Sequence, residues 1–287
     1  MSFKNLSKTF RYVNDNGDSV RFEYEHGYLI NKPSGIDTVQ VNLSQAQGIN
    51  QVGSTVQSKT VQSRPITISG IIVGEDELTN SELKEMLMSV IRPDIPGKLY
   101  AGDYYLNVHV TATPTIEARK KFAHFQFTIN APYPYWQKKK AEAHAISGIE
   151  YKFKFPWNIS KAYRFGQMIA TLFLNIRNNG QLPVPFTATF TALETVVNPR
   201  ITNVTTEEAL ILNHTMEAGE RVVVKITHDR TSVTSSVSGN IRGALDLESN
   251  FFRMGVGDNV LKPEAESGLD QLEVDIKFAT EIVGVTL

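Results

Sequence analysis

Cysteine is absent from this chain, which removes disulfides, thiolate nucleophiles and cysteine-ligated zinc together. Charge of one sign is equally lacking. Lys and Arg number 29 against 30 Asp and Glu, a formal net charge of -1, so no global field draws the protein onto nucleic acid. The opening Met1-Ser2-Phe3-Lys4-Asn5-Leu6-Ser7-Lys8 has no apolar signal-peptide core, and no hydrophobic run approaches the ~20 residues that span a bilayer. Neither a membrane nor a specific nucleic-acid partner is expected. Internal repeats and low-complexity tracts are missing too. With 41% apolar and 21% charged residues, the chain can bury enough surface to offset its conformational entropy, so extensive disorder is excluded.

What is present is alternation. A run ending in Phe125, Phe127 and Ile129 closes in Pro132-Tyr133-Pro134-Tyr135-Trp136, and prolines without amide donors end a strand's pairing. A second run opens at Asn178-Asn179-Gly180 and continues through Pro183 and Pro185 into Phe186, Ala188 and Phe190. These segments predict two β domains, 1–136 and 137–287, and 287 residues suffice for two ordinary cores.

In the first domain, Asn16-Gly17 between short alternating runs predicts a hairpin. Gly48, Gly53 and the polar stretch Ser54 to Ser63 predict strands broken by a surface loop; Ile66, Ile68 and Ile72 then share one strand face. Tyr104, Leu106, Val108 and Val110 share another. One helix is predicted: Thr79 and Glu82 form a capping box, and Leu83, Met86, Leu87 and Val90 recur at helical spacing before Arg92-Pro93 stops it. In the second domain, Tyr151, Phe153, Phe155 and Trp157 alternate with lysines. Further rows at Val222, Val224 and Ile226 and at Leu272, Val274, Ile276 and Phe278 complete a sandwich pattern.

Residues suited to chemistry are scattered. The six histidines, His26, His109, His124, His144, His214 and His228, never fall at metal-ligand spacing. Gly255-Val256-Gly257 lacks the third glycine and the helix of a phosphate-binding fingerprint and reads as a tight turn. Glu207-Glu208 and Asp246 with Glu248 could pair as acid and base, but solvated loop charge is the simpler reading. Lys138 to Lys140 read as a solvated linker, and no Gly-x-Ser-x-Gly elbow occurs. No catalytic, cofactor-binding or metal-binding residue is nominated, no cofactor is expected, and the chain is read as no enzyme.

The order of the landmarks resembles that of the phage distal tail protein, a siphovirus-type tail component family. The resemblance is carried by Tyr28-Leu29-Ile30 with Gly35, Gly53-Ser54, Arg64-Pro65-Ile66-Thr67-Ile68-Ser69-Gly70 and Pro132 to Trp136. It continues through Asn178-Asn179-Gly180, Asn198-Pro199-Arg200-Ile201, Met216-Glu217-Ala218-Gly219-Glu220, Asn250-Phe251-Phe252 and Gly257-Asp258-Asn259.

That resemblance implies a mainly β protein. Its amino-terminal domain would be a barrel-like or split-barrel structure with one helix, assembling as a homo-hexamer ring. Its carboxy-terminal domain would be a galectin-like β-sandwich. The ring would join the tail tube protein to the tail-tip hub or tail-associated protein and the receptor-binding protein. The protein would be made in the host cytoplasm and end in the virion tail of a phage or phage-derived particle. The segment Gln40 to Ser63 is the expected ring interface, since a strand edge can extend a neighbour's sheet. The alternative is a carbohydrate-binding module whose Trp157, with Tyr151 and Phe153, stacks on a cell-wall sugar; a cell-wall hydrolase has no residues to support it.

Overall fold

Alternation with period two builds almost every element. The computed structural model describes residues 10–74, 76–118, 122–145, 147–151, 166–170 and 173–285. The chain divides into two compact units, Met1–Lys139 with Glu281–Leu287, and Lys140–Thr280.

The first unit opens with β1 (Phe10–Asn14) and β2 (Ser19–Phe22). The Asn14 carbonyl side-chain oxygen accepts from the amides of Asn16 and Asp18 at 3.1 and 2.9 Å, which folds the predicted hairpin turn. Then come β3 (Tyr28–Ile30), β4 (Val41–Ala46), β5 (Thr55–Val61), β6 (Arg64–Ile72), helix α1 (Glu77–Val90), β7 (Gly97–Ala101), β8 (Tyr104–Ala118), β9 (Ala123–Ala131) and β10 (Trp136–Lys138). The main sheet runs β2-β1-β7-β8-β9-β6-β3, all antiparallel, with β10 also on β8. β8 pairs with β7 through its first half and with β9 through its second. Register shifts between Val110 and Ala112 and between Ala112 and Thr115 bend it and curl the sheet towards a barrel.

Inside that curl lie the expected faces: Ile66, Ile68 and Ile72, Leu106, Val108 and Val110, and Phe125, Phe127 and Ile129 are all buried. Phe22, Tyr28, Phe125 and Phe127 form an aromatic cluster with centroids 5.8 to 6.3 Å apart. Each such ring contributes about 1.5–3 kcal/mol through burial.

The helix departs from expectation in two ways. Asp76, not Thr79, is the N-cap: its carboxylate accepts from the Thr79 amide at 2.7 Å, so the first turn begins three residues earlier. Met86 is 45% exposed, because the stripe that meets the sheet runs through Leu83, Leu87 and Val90 and Met86 falls beside it.

The second unit holds β11 (Glu142–Ala145), β12 (Ser147–Tyr151), β13 (Gly166–Ala170), β14 (Leu174–Asn178), β15 (Phe186–Ala192), β16 (Val196–Val197), β17 (Arg200–Asn203) and β18 (Glu208–Ile211). It continues with β19 (Thr215–Met216), β20 (Arg221–Ile226), β21 (Thr231–Ser235), β22 (Gly239–Asn240), β23 (Gly257–Glu264) and β24 (Leu272–Phe278). One sheet is β11-β24-β15-β20-β21-β22 and another β14-β23-β17-β18; β12 with β13 and β16 with β19 form small pairs. Phe186, Phe190, Val224 and Ile276 from the first sheet share a core with Ile176, Ile201, Leu210 and Leu261 from the second. That is a β-sandwich. Phe153, Phe155 and Trp157 lie outside the described residues.

The last strand, β25 (Glu281–Ile282), pairs with β10 in the first unit, where Val285 is buried in the core. A single boundary at 136/137 makes no provision for this return. The prolines at 132 and 134 do end β9, but beyond them the chain pairs again as β10 before it leaves.

Candidate assembly surface

The residues named for chemistry do not converge. Among the described residues no group of three or more His, Asp or Glu is placed to hold a metal. His109 and His124 point outward from β8 and β9, and His144 stacks on Phe278 at 5.9 Å. Gly255-Val256-Gly257 is the expected turn: the buried Asn259 side chain accepts from the Gly255 amide at 2.8 Å and donates to the Gly255 and Gly257 carbonyls at 2.9 and 3.0 Å. Asp246 accepts from Asn213 at 2.6 Å and from the Glu248 amide at 2.8 Å. Those hydrogen bonds hold its carboxyl below the usual aspartate value, as suits a loop brace.

Sequence reasoning missed three buried ionisable groups. Arg64 is only 2% exposed; its guanidinium donates to the Gly35 and Ile36 carbonyls at 3.2 and 2.7 Å and to the Val283 carbonyl. Burial lowers its pKa to about 10, against the opposing pull of Asp37 and Tyr135. Its position had a signal: 64, 66 and 68 share the inward parity of β6. Gly35, with φ +84°, permits this approach, since a Cβ there would stand 2.2 Å from the Pro65 carbonyl oxygen.

Glu281 accepts from the Tyr133 hydroxyl at 2.5 Å and from Gln137 at 3.2 Å. In the second unit Glu220 accepts from Ser235 at 2.5 Å, the His214 ring at 2.8 Å and the Glu217 amide at 3.0 Å. Burial pushes its carboxyl up, but the three donors outweigh burial and hold it below the ordinary glutamate value. Ser235 and His214 both bond the carboxylate rather than each other, so His214 does not act as a base on the Ser235 hydroxyl. These groups brace the fold.

Among the described residues, the β4–β5 hairpin pairs with no other strand. It forms a two-stranded sheet of its own, and every residue from Thr55 to Val61 and from Val41 to Gln45 is exposed. Val41, Leu43, Val56 and Val61 stand in solvent along it, with Ile49 and Val52 at the tip. Its ladder holds at Val41 to Val61 through Ala46 to Thr55, with one irregularity after Ser44. Isolated two-stranded hairpins are marginal in water.

Two family models match these two units. Residues 23–131 match the phage tail protein RIFT-related domain, and residues 179–281 match the C-terminal domain of the siphovirus-type tail component. The chain belongs to the siphovirus-type tail component family. No curated protein sequence matches this tail component. Among solved structures, its fold is similar to that of phage SPP1 Dit, described as a paradigm of hub adsorption apparatus in Gram-positive infecting phages. The two share 11% identity at a TM-score of 0.70, covering 95% of the tail component and 98% of the SPP1 chain. A chain of the phage P2 baseplate in its activated conformation is similar at 12% identity and TM-score 0.50, with coverage of 96% and 99%. The mainly β architecture read from alternation is therefore that of a phage tail component, and the family is a structural one.

Proposed function

We propose that this tail component forms a hexameric ring at the tail tip, coupling the tail tube to the hub and receptor-binding proteins. Ring formation is assigned to the first unit, within the expected domain 1–136, and the projecting galectin-like role to the sandwich of the second, within 137–287. The observation that carries the reading is the β4–β5 hairpin, exposed on both faces from Val41 to Gln45 and from Thr55 to Val61. A hairpin of this length gains little from its own chain and has strand edges to offer a neighbour. Copies joined head to tail by such a reach close into a ring through heterologous contacts. The work is mechanical, and the near-neutral charge suits a conduit that must not grip the phosphates of passing DNA.

Electron microscopy and mass measurement of the full chain test this. Six-fold rings are expected, and a variant whose residues 43–58 are replaced by a two-residue turn should stay folded and lose them. A strict monomer at all concentrations, with no ring when tail-tube protein is added, overturns the proposal.

A further inference from the structure

The first unit carries two surfaces on opposite sides of one sheet. On β1, β2, β7 and β8 the residues Tyr12, Val20, Leu99 and Leu106 point into the core, and helix α1 packs on that side through Leu87 and Val90. Their alternates point outward, and the register lines them up: Arg21 is opposite Arg11, Arg11 opposite Tyr100, and Tyr100 opposite Tyr105. Two arginines directly opposite on one face repel each other. Lys139 lies over the Tyr100 ring at 4.8 Å and Lys98 over the Tyr105 ring at 5.7 Å, adding two further cations. Among the described residues no carboxylate forms an ion pair with any of the four. Glu23 lines the same cleft of about 430 Å³, but its carboxylate faces His26 at 3.5 Å.

Helix α1 presents the complement. Its outward stripe carries Leu78, Glu82, Glu85 and Met88, all exposed, and among the described residues neither glutamate forms an ion pair. Glu82 and Glu85 are three residues apart on one face, about 5–6 Å between Cβ atoms. Arg11 and Arg21 face each other across strands at about 4.5–5.5 Å. Two carboxylates can therefore meet two guanidiniums without change of spacing, while Leu78 and Met88 find the tyrosine rings.

We infer that the Arg11–Arg21 face receives the Glu82–Glu85 stripe of helix α1 from a second copy of this chain. The inference rests on the ring proposed above and names a contact within it. Because donor and acceptor surfaces lie on opposite sides of the same unit, the contact is heterologous and propagates from copy to copy. It also removes the like-charge repulsion that the free unit carries.

Paired charge reversal of the full chain, followed by sedimentation velocity, tests it. R11E/R21E and E82R/E85R should each raise the dissociation constant of the ring on the order of tenfold or more. Mixed one to one they should reassemble, since alternating the two variants restores an opposite-charge pair at every contact of an even-membered ring. If circular dichroism shows that either variant fails to fold, R11Q/R21Q and E82Q/E85Q replace them, and each should weaken assembly in the same direction. Rings from R11E/R21E as stable as those of the unaltered chain, or folded variants that do not complement each other, overturn the inference while leaving the ring itself in place. Loss of binding to a DNA oligonucleotide by R11E/R21E with assembly unchanged also overturns it. Failure of the unaltered chain to assemble overturns the ring and this contact together.

Discussion

The Trp136 indole nitrogen donates to the Ile36 carbonyl oxygen at 3.0 Å across 100 residues of sequence. The same oxygen accepts from Arg64 at 2.7 Å and from the Val285 amide at 3.3 Å. A corner, a loop, a strand start and the returning segment thus meet at one carbonyl. Both Trp136 and Ile36 are fully buried.

Replacing Trp136 by Phe keeps an aromatic ring and removes the donor. The expected loss is about 1–2 kcal/mol, from one buried hydrogen bond and a small void. Urea unfolding followed by far-ultraviolet circular dichroism measures it, and Trp136→Ala should lose about 3–5 kcal/mol.

Arg64→Lys retains a cation but cannot reach three carbonyls with a planar fork. A loss of about 2–4 kcal/mol follows from carbonyls left unpaired in the interior. Hydrogen exchange should quicken first in residues 281–285, which lose the Val283 contact. Uniform exchange across the unit would contradict this account.

Burial raises the hydroxyls of Tyr12 and Tyr28 to about 12, with Asp15 adding to the effect on Tyr12. Below pH 10 both are neutral in folded and unfolded chain alike. Between pH 10 and about 12 the unfolded chain ionises first, so these groups withdraw stability as pH rises. Arg64, lowered to about 10, acts oppositely above pH 10, because the unfolded chain then holds its proton longer. Two groups outweigh one. Stability should fall between pH 10 and 12, and the fall should be shallower in Tyr28→Phe, which also loses the 2.7 Å bond to the Leu83 carbonyl.

Glu220→Gln removes a carboxylate that three donors favour. Its folded pKa is depressed, so the stability it contributes is present above the ordinary glutamate value and lost as pH falls through the lower folded one. Thermal melts should show the variant about 1–3 kcal/mol weaker at pH 7 and less sensitive to acid than the unaltered protein.

The buried faces were readable because a half-buried strand must alternate: Ile66 and Ile68, Phe186 and Phe190, Val274 and Ile276 all point where period two puts them. The β4–β5 segment was readable as surface but not as a complete ladder, because its apolar row of Val41, Leu43, Val56 and Val61 is interrupted by Gln45 and Lys59 and its parity changes at the register shift after Ser44. Arg64 broke the rule that charge lies outside; only its parity with Ile66 betrayed it. The pairing of Trp136 with Ile282 rests on a two-residue strand far downstream, too short to leave a pattern. The Arg11–Arg21 row depends on cross-strand register, which no local window contains.

The crossing from one unit to the other happens twice, at 139/140 and again at 280/281. A ribosome must therefore finish the sandwich before β25 and Val285 can close the first core. Premature oligomers of half-made chains are disfavoured by this timing. Once closed, a pull on the sandwich is shared by two covalent tethers, and one protease nick severs only half the connection.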